Sequence, residues 1–206
     1  MFEDIKKELI EYGKLAGEKN YTPGISGNIS ARVEDKVVIT TSGSANGYLT
    51  LDDFAVIDFD GNLIEGMKPS SEKMLHVEFY KKRPEFNSIF HVHSPYLTAF
   101  ASAGVEMDED ISPELIYCFG KIPLAEYALP GTDELVKNTS KYFSDYDVVL
   151  MKNHGIIIGA KDVKQAFLNL DLCENYAKTL IGAKLLGGAK ILPKEEVEKI
   201  YLLRQK

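Results

Sequence analysis

The chain has 206 residues, of which 45% are hydrophobic and 27% charged, a composition typical of a folded globular protein rather than a disordered one. Its 24 basic and 31 acidic side chains give a net charge of −7, which argues against a nucleic-acid partner. The charged N-terminus lacks the apolar core of a signal peptide, and no apolar run is long enough to span a membrane. We therefore expect a cytoplasmic protein with no membrane partner, formed by a single domain over residues 1–206.

The first half of the chain combines helical periodicity with short strand patterns. Turn residues at 34–35 separate two of the strand patterns, as in a hairpin. In chain order we expect a helix over residues 2–19, a small-residue loop at 22–32 that runs into a strand, a strand over 36–41, a strand over 54–59 that turns at 60–61 into 62–64, a helix from 69–72 to just before Pro84, and a strand around 89–93.

The second half continues this alternation. We expect a helix over residues 94–100, a short strand at 121–124, a helix over 131–143, strands over 147–151 and 155–159, a long amphipathic helix over 162–186 and a last helix over 193–203. Strands joined by tight turns and separated by helices predict an α/β (α+β) fold, in which a mostly antiparallel sheet is covered by helices on both faces. There is no Gly-x-Gly-x-x-Gly or Walker-type loop, so a nucleotide site is not expected.

Three of the four histidines lie where they could share one metal ion. His91 and His93 are two residues apart in a strand pattern, so their imidazoles would project from the same face. His154 lies between a second strand pattern and a glycine turn, which leaves room beside the ring. Three imidazoles with an open fourth position suit a catalytic zinc, although two such histidines can also be ordinary strand residues. The fourth, His76, lies in an apolar helical pattern and is interpreted as structural.

Three small polar loops have the character of an anion-binding pocket. At residues 70–72 two serines and a glutamate begin a predicted helix, and helix capping alone would account for them. A helix start with two hydroxyls is also suited to an anion, and the other two loops likewise expose backbone N–H groups. Together with the histidines, these loops predict a pocket for a phosphorylated or polyhydroxylated substrate. The loop residues concerned are Gly27, Asn28, Ser42, Gly43, Ser70 and Ser71.

Six short motifs, taken in order, resemble the class II (metal-dependent) sugar-phosphate aldolase family, which includes L-fuculose-1-phosphate aldolase and ribulose-5-phosphate 4-epimerase. They span about two thirds of the chain. The motifs are Gly-Asn-Ile-Ser at 27–30, Ile-Thr-Thr-Ser-Gly at 39–43, Lys-Pro-Ser-Ser-Glu at 68–72, His-Val-His at 91–93, Tyr-Ala-Leu-Pro-Gly-Thr at 127–132 and Asn-His-Gly-Ile-Ile at 153–157.

The resemblance implies a role for each of these groups. It implies one Zn²⁺ per subunit, for which Mn²⁺, Co²⁺ or Fe²⁺ can substitute, held by His91, His93 and His154. Glu72 would be a further ligand and the acid/base, and the three polar loops would hold the substrate phosphate. The resemblance also implies a homotetramer with active sites at subunit interfaces, reached by a tyrosine near the C-terminus for which Tyr201 is the candidate.

The implied activity is an aldolase reaction: reversible cleavage of a ketose 1-phosphate similar to L-fuculose 1-phosphate, giving dihydroxyacetone phosphate and a small aldehyde such as lactaldehyde. A pentulose-phosphate 4-epimerase, a sugar-phosphate dehydratase and a non-catalytic scaffold like the adducin head remain alternatives. The chain has Leu129-Pro130 where fuculose-phosphate aldolases carry an aromatic residue, and residues 111–119 do not align clearly. The sequence therefore leaves open the aldehyde and the second acid/base, with Tyr117 as an alternative to Tyr201.

Overall fold

Eight strands form one continuous sheet in the computed structural model, which describes residues 2–204. The strands are β1 (Asn28–Val33), β2 (Lys36–Thr40), β3 (Phe54–Asp58), β4 (Leu63–Glu65), β5 (Ser88–Val92), β6 (Leu124–Ala125), β7 (Val148–Met151) and β8 (Gly155–Ala160). Their order in the sheet is β4-β3-β2-β1-β5-β8-β7-β6. Only the edge pair of β6 and β7 is parallel, which confirms the predicted mostly antiparallel sheet.

Helices cover both faces of the sheet, as predicted. They are α1 (Glu3–Glu18), α2 (Lys73–Lys82), α3 (Pro95–Ala103), α4 (Pro113–Cys118), α5 (Asp133–Ser140), α6 (Val163–Leu185) and α7 (Lys194–Arg204). One apolar cluster joins one face of the sheet to α1, α3, α4 and α6, and a second joins the other face to α2 and α5. Among the residues described, no helix is both long and apolar enough to cross a membrane.

The strands at the centre of the sheet set the positions of the polar side chains discussed below. β5 lies between β1 and β8 and is buried along its whole length. Asn28 of β1 is opposite His91 of β5, and His91 is opposite Ile157 of β8. Because alternate residues of a strand share a face, Asn28, Ser30 and His91 all face α2.

The helix predicted to begin at residues 69–72 begins instead at Lys73, so the expectation that Ser70 or Ser71 caps it and that Glu72 lies in its first turn is wrong. The preceding residues still pair with the end of β2: the Ser70 N–H donates to the Thr40 carbonyl at 3.1 Å. This pairing holds Pro69 and Ser70 against β2, residues 71–72 form a turn, and Glu72 takes the N-cap position without a side-chain cap. Its carboxylate is therefore free to turn elsewhere.

Residues 111–127, which gave no clear pattern, contain α4 and the short strand β6. The Ser112 hydroxyl accepts a hydrogen bond from the Leu115 N–H and caps α4. The strand predicted at 121–124 is shorter and lies later, at Leu124–Ala125. Pro123 has no N–H to donate to a ladder, so regular pairing begins only after it.

Candidate metal centre

The sheet register brings three distant histidines to one end of β5 and β8. His91 lies in β5, His93 follows its last residue, and His154 lies in the turn that precedes β8. Since β5 and β8 are antiparallel, the end of the first strand lies beside the start of the second. Each histidine offers one ligand nitrogen, and these three atoms lie within 4.8 Å of one another. This is close enough for a single cation to contact all three.

The three rings surround a common point. The ring centroids of His91 and His93 are 5.0 Å apart, so the pair projects from one side as their spacing predicts. The His154 ring lies 4.7 Å from that of His91 and 5.1 Å from that of His93. The three centroids thus form a nearly equilateral triangle, and each ring contributes one nitrogen to the cluster.

Two glycines leave the space that this arrangement occupies. A Cβ at Gly155 would lie 2.5 Å from the Val92 carbonyl oxygen and 2.7 Å from Cδ2 of His93. Gly27 has a φ of 73°, and a Cβ there would collide with the His91 carbonyl oxygen. The glycines of the 27–30 and 153–157 motifs are therefore needed so that backbone and imidazole can approach closely.

The Glu72 carboxylate faces the histidines from the start of α2. Its Oε2 lies 3.1 Å from Nε2 of His91, and its Oε1 lies 3.4 Å from Nε2 of His154. The side chain is only 8% exposed, and Oε1 has no hydrogen-bond donor among the described residues. A buried carboxylate oxygen without a donor is costly unless a positive charge faces it.

The protonation of His91 shows that the donor set suits a cation. Its Nδ1–H donates to the Ile156 carbonyl at 2.8 Å, so in the neutral ring Nε2 carries the lone pair. That lone pair faces Oε2 of Glu72, and Nε2 of His93 lies 3.3 Å away. Electron-rich atoms at these distances need a proton or a metal ion between them. His91, His93, His154 and Glu72 therefore fit a divalent cation.

The pKa values follow from burial and mutual charge. Burial, reinforced by repulsion from His91, lowers the pKa of His93 to about 3 and that of His154 to about 4. Burial also lowers the pKa of His91, but the charge of Glu72, its hydrogen bond to His91 and the hydrogen bond to the Ile156 carbonyl together outweigh burial, so the net pKa is raised. Burial alone would raise the pKa of Glu72, whereas His91 lowers it well below its usual range. At neutral pH the site thus offers two neutral imidazoles and a carboxylate, the forms that bind metal.

The three polar loops lie together beside this cluster. The Ile29 N–H donates to the Thr40 side chain at 3.2 Å, which joins the start of β1 to the end of β2. The Ser42 N–H donates to the Lys68 carbonyl at 3.0 Å, which brings the second loop against the segment that leads to Glu72. Ser42, Gly43 and Ser71 are exposed, whereas Ser70 is buried and its hydroxyl accepts from the Glu72 N–H.

The Asn28 side chain has partners that the sequence did not indicate. It is nearly buried, and its Nδ2 donates to Oε2 of Glu72 at 2.9 Å. Its Oδ1 lies 2.6 Å from Nε2 of His76, the histidine interpreted as structural. Glu72 at the N-cap of α2 and His76 within it are four residues apart, so helical spacing could have revealed that they face the same strand residue.

The two candidate tyrosines lie at α4 and α7. The Tyr201 ring packs beside Gly120, just after α4, where an added Cβ would lie 3.3 Å from its hydroxyl oxygen. Tyr117 is on α4 and half exposed. Among the described residues, neither tyrosine has a side-chain hydrogen bond to Glu72, His91, His93 or His154.

Known proteins match this chain over most of its length. The family model described as "Class II Aldolase and Adducin N-terminal domain" matches residues 7–181. An L-fuculose phosphate aldolase from Methanocaldococcus jannaschii is 37% identical over 173 residues, covering 84% of this chain and 93% of the relative. A 3-oxo-tetronate 4-phosphate decarboxylase from Haemophilus influenzae is 34% identical, covering 87% and 90%. The solved structure of an L-fuculose 1-phosphate aldolase superposes with a TM-score of 0.91 at 33% identity, covering 99% and 97%.

Proposed function

Since this chain belongs to the family of class II aldolases and adducin N-terminal domains, we propose that it is a cytoplasmic, metal-dependent aldolase. Its substrate would be a ketose 1-phosphate similar to L-fuculose 1-phosphate, cleaved reversibly to dihydroxyacetone phosphate and a small aldehyde such as lactaldehyde. One observation carries the proposal: both oxygens of the buried Glu72 carboxylate lie within 3.4 Å of metal-competent histidine nitrogens.

The proposed metal ligands are His91, His93 and His154, with Glu72 as a further ligand. Three imidazole nitrogens with an open position favour zinc, and Mn²⁺, Co²⁺ or Fe²⁺ can replace it. When bound, the cation supplies Lewis-acid stabilisation of the negative charge that carbon–carbon cleavage leaves on the three-carbon fragment. An intact ligand set also favours an enzyme over a scaffold like the adducin head.

The phosphate of the substrate is assigned to the three polar loops. The exposed residues Ser42, Gly43 and Ser71 lie beside the segment that carries Glu72, and N–H groups and hydroxyls can bind an anion without a basic side chain. Anchoring the phosphate would orient the C3–C4 bond toward the histidines. The residues assigned this role are Gly27, Asn28, Ser42, Gly43, Ser70 and Ser71.

Glu72 is assigned the proton transfer at C3. Cleavage breaks the C3–C4 bond, and the electron pair stays on C3 while the C4 hydroxyl becomes the aldehyde carbonyl and loses its proton. Glu72, which must first take up a proton from water, then delivers it to C3 and gives dihydroxyacetone phosphate; in the reverse direction the carboxylate removes a proton from C3. A tyrosine, Tyr201 or Tyr117, is assigned the role of taking up the proton that the C4 hydroxyl loses during cleavage. In a homotetramer with sites between subunits, Tyr201 would act on the site of a neighbour.

The test is incubation of the purified protein with dihydroxyacetone phosphate and a panel of small aldehydes, with and without chelator. The proposal expects a ketose 1-phosphate to form only in the metal-loaded protein. Release of free aldehyde in the cleavage direction separates an aldolase from an epimerase, and loss of water would identify a dehydratase. Absence of any product from zinc-loaded protein with every aldehyde would contradict the proposal.

A decarboxylase is the second candidate, because the Haemophilus influenzae relative covers nearly the same share of this chain at 34% identity. Loss of CO₂ from a 3-oxo acid leaves the same kind of carbanion beside a carbonyl, and Glu72 in its protonated form would supply the proton that this carbanion takes up. Incubation with a 3-oxo-tetronate 4-phosphate distinguishes the two. Release of CO₂ there, without ketose formation in the aldehyde assay, would replace the first candidate.

A further inference from the structure

A line of five polar side chains runs from the interior of the protein to the metal centre, between α2 and β1. Its members from the inner end are Tyr80, Ser30, His76, Asn28 and Glu72. The Tyr80 hydroxyl lies 2.8 Å from the Ser30 hydroxyl, which lies 2.7 Å from Nδ1 of His76. Nε2 of His76 lies 2.6 Å from Oδ1 of Asn28, whose Nδ2 lies 2.9 Å from Oε2 of Glu72.

The secondary structure explains why these five residues meet. His76 and Tyr80 of α2 and Glu72 at its N-cap follow one another at intervals of four residues, so they lie along one face of the helix. The two on β1 are two residues apart, so they share the face of the sheet that α2 covers. The line therefore forms where one face of α2 packs against the polar residues of β1.

When Glu72 is ionised, the direction of every hydrogen bond in the line is determined. A carboxylate only accepts, so Nδ2 of Asn28 donates and its Oδ1 must accept from Nε2–H of His76. Nδ1 of His76 then accepts from the Ser30 hydroxyl, which in turn accepts from Tyr80. One protonation pattern satisfies all four contacts, and His76 is its only imidazole.

His76 is fully buried and has no polar contact outside this line among the described residues. Burial lowers its pKa to about 3, so the ring is neutral at neutral pH. It therefore acts as a fixed donor toward Asn28 and does not exchange protons with the site. The amide of Asn28 cannot rotate without facing its oxygen toward Glu72 and its nitrogen toward another donor.

We propose that His76 is a positioning residue for Glu72, acting through the amide of Asn28. By fixing Nδ2 of Asn28 toward Oε2, it leaves Oε1 as the oxygen without a donor, and Oε1 is the atom that exchanges a proton with the substrate. The role of Oε1 in proton exchange rests on the proposed function, whereas the orientation of Asn28 rests on its hydrogen bonds alone.

The test compares two substitutions that differ in the donor they retain. In His76→Gln the side-chain amide nitrogen can still donate to Asn28, whereas His76→Leu has no donor. Phe79→Leu serves as a stability control, because Phe79 is on the same helix but is apolar and stacks on Phe143, so it cannot take part in the hydrogen bonds of the line. Metal content, melting temperature, kcat and KM of aldol cleavage are measured for each variant.

We expect His76→Leu to lose at least about tenfold in kcat, with KM changed less than about threefold and metal content unchanged. His76→Gln should retain kcat within about threefold. Phe79→Leu should lower the melting temperature without a matching fall in kcat. Equal kcat losses in the leucine and glutamine variants, or wild-type kcat in the leucine variant, would overturn the proposal.

Nitrogen-15 NMR of the labelled wild-type protein tests the same line without any turnover. We expect His76 to be the neutral Nε2–H tautomer from pH 5 to pH 9, and the Asn28 side-chain amide signal to move in Glu72→Gln. An Nδ1–H tautomer, or an Asn28 signal indifferent to Glu72, would overturn the proposal. The wild-type protein could show the expected His76 tautomer and Asn28 signal and yet convert no sugar phosphate. That result would refute the proposed function but leave the positioning of Glu72 by Asn28 and His76 standing.

Discussion

Oε2 of Glu72 lies 3.1 Å from Nε2 of His91, and this contact joins the start of α2 to the central strand β5. Nδ1 of His91 is occupied by the Ile156 carbonyl, so neutral His91 can only present a lone pair to the carboxylate. A proton or a metal ion must therefore lie between the two residues. The same contact joins the residue proposed for proton transfer to one of the proposed metal ligands.

Glu72→Gln should abolish proton exchange at C3 while leaving metal content intact. The amide keeps the shape and one acceptor oxygen of the side chain but cannot take up or deliver the proton, so a loss of about 100-fold or more is expected. Exchange is followed by NMR in deuterated buffer, and metal content by elemental analysis. Glu78→Gln on the same helix is the control, and turnover unchanged in Glu72→Gln would remove this residue from the mechanism.

His154→Ala should weaken metal binding by at least about 100-fold, because loss of a direct ligand should cost no less than loss of a supporting contact. The measurement is titration of the metal-free protein with Zn²⁺. Lys152→Ala is the matched control in the same turn, since it removes only an exposed ion pair with Glu126. Equal affinities in the two variants would place the metal elsewhere.

Gly155→Ala should disturb the metal site although it changes no ligand. The added Cβ would lie 2.7 Å from Cδ2 of His93, so the ring or the strand must move and at least about a tenfold loss of zinc affinity is expected. Gly182→Ala is the control, because that glycine lies within α6 with nothing within 4 Å of an added Cβ. It should be neutral or stabilise the protein by about 0.5–1 kcal/mol. Wild-type zinc affinity in Gly155→Ala would contradict the packing argument.

The burial of neutral His76 should make the protein less stable in acid. Its pKa falls from 6.5 to about 3 on folding, so between these values the unfolded chain binds the extra proton. Its stabilising contribution is complete above pH 6.5 and is lost as pH falls toward 3, amounting to about 2 kcal/mol by about pH 5. Denaturant unfolding of metal-free wild type and His76→Gln measures this. The variant should have the flatter pH dependence, and parallel curves would show that His76 titrates normally.

The sequence predicted the parts of this structure that depend on local spacing. His91 and His93 share a face because strands alternate, and the long helix α6 follows from its apolar periodicity. It did not predict the start of α2 at Lys73, because Pro69 and Ser70 pair with the end of β2, which is distant in sequence, and a turn at 71–72 follows them. The role of Asn28 was also missed, since its partners lie on another element.

The identity of the second acid/base remains a prediction for a physical reason. Tyr201 packs beside Gly120 in its own chain, and its proposed partner is a site on a neighbouring subunit. Local sequence patterns carry no information on which subunits meet. Tyr201→Phe compared with Tyr117→Phe in the cleavage assay would assign the residue, with the larger fall in kcat marking the one that takes up the proton of the C4 hydroxyl.

The most direct test of the account is deuterium exchange into dihydroxyacetone phosphate by the protein loaded with one equivalent of zinc, without any aldehyde. It requires the metal site, the phosphate loops and Glu72 together, and nothing else. We expect one deuterium per molecule at the carbon that bears the free hydroxyl, with exchange lost on chelation and in Glu72→Gln. No exchange by the zinc-loaded wild-type protein would contradict the assignment of this site to sugar-phosphate aldol chemistry.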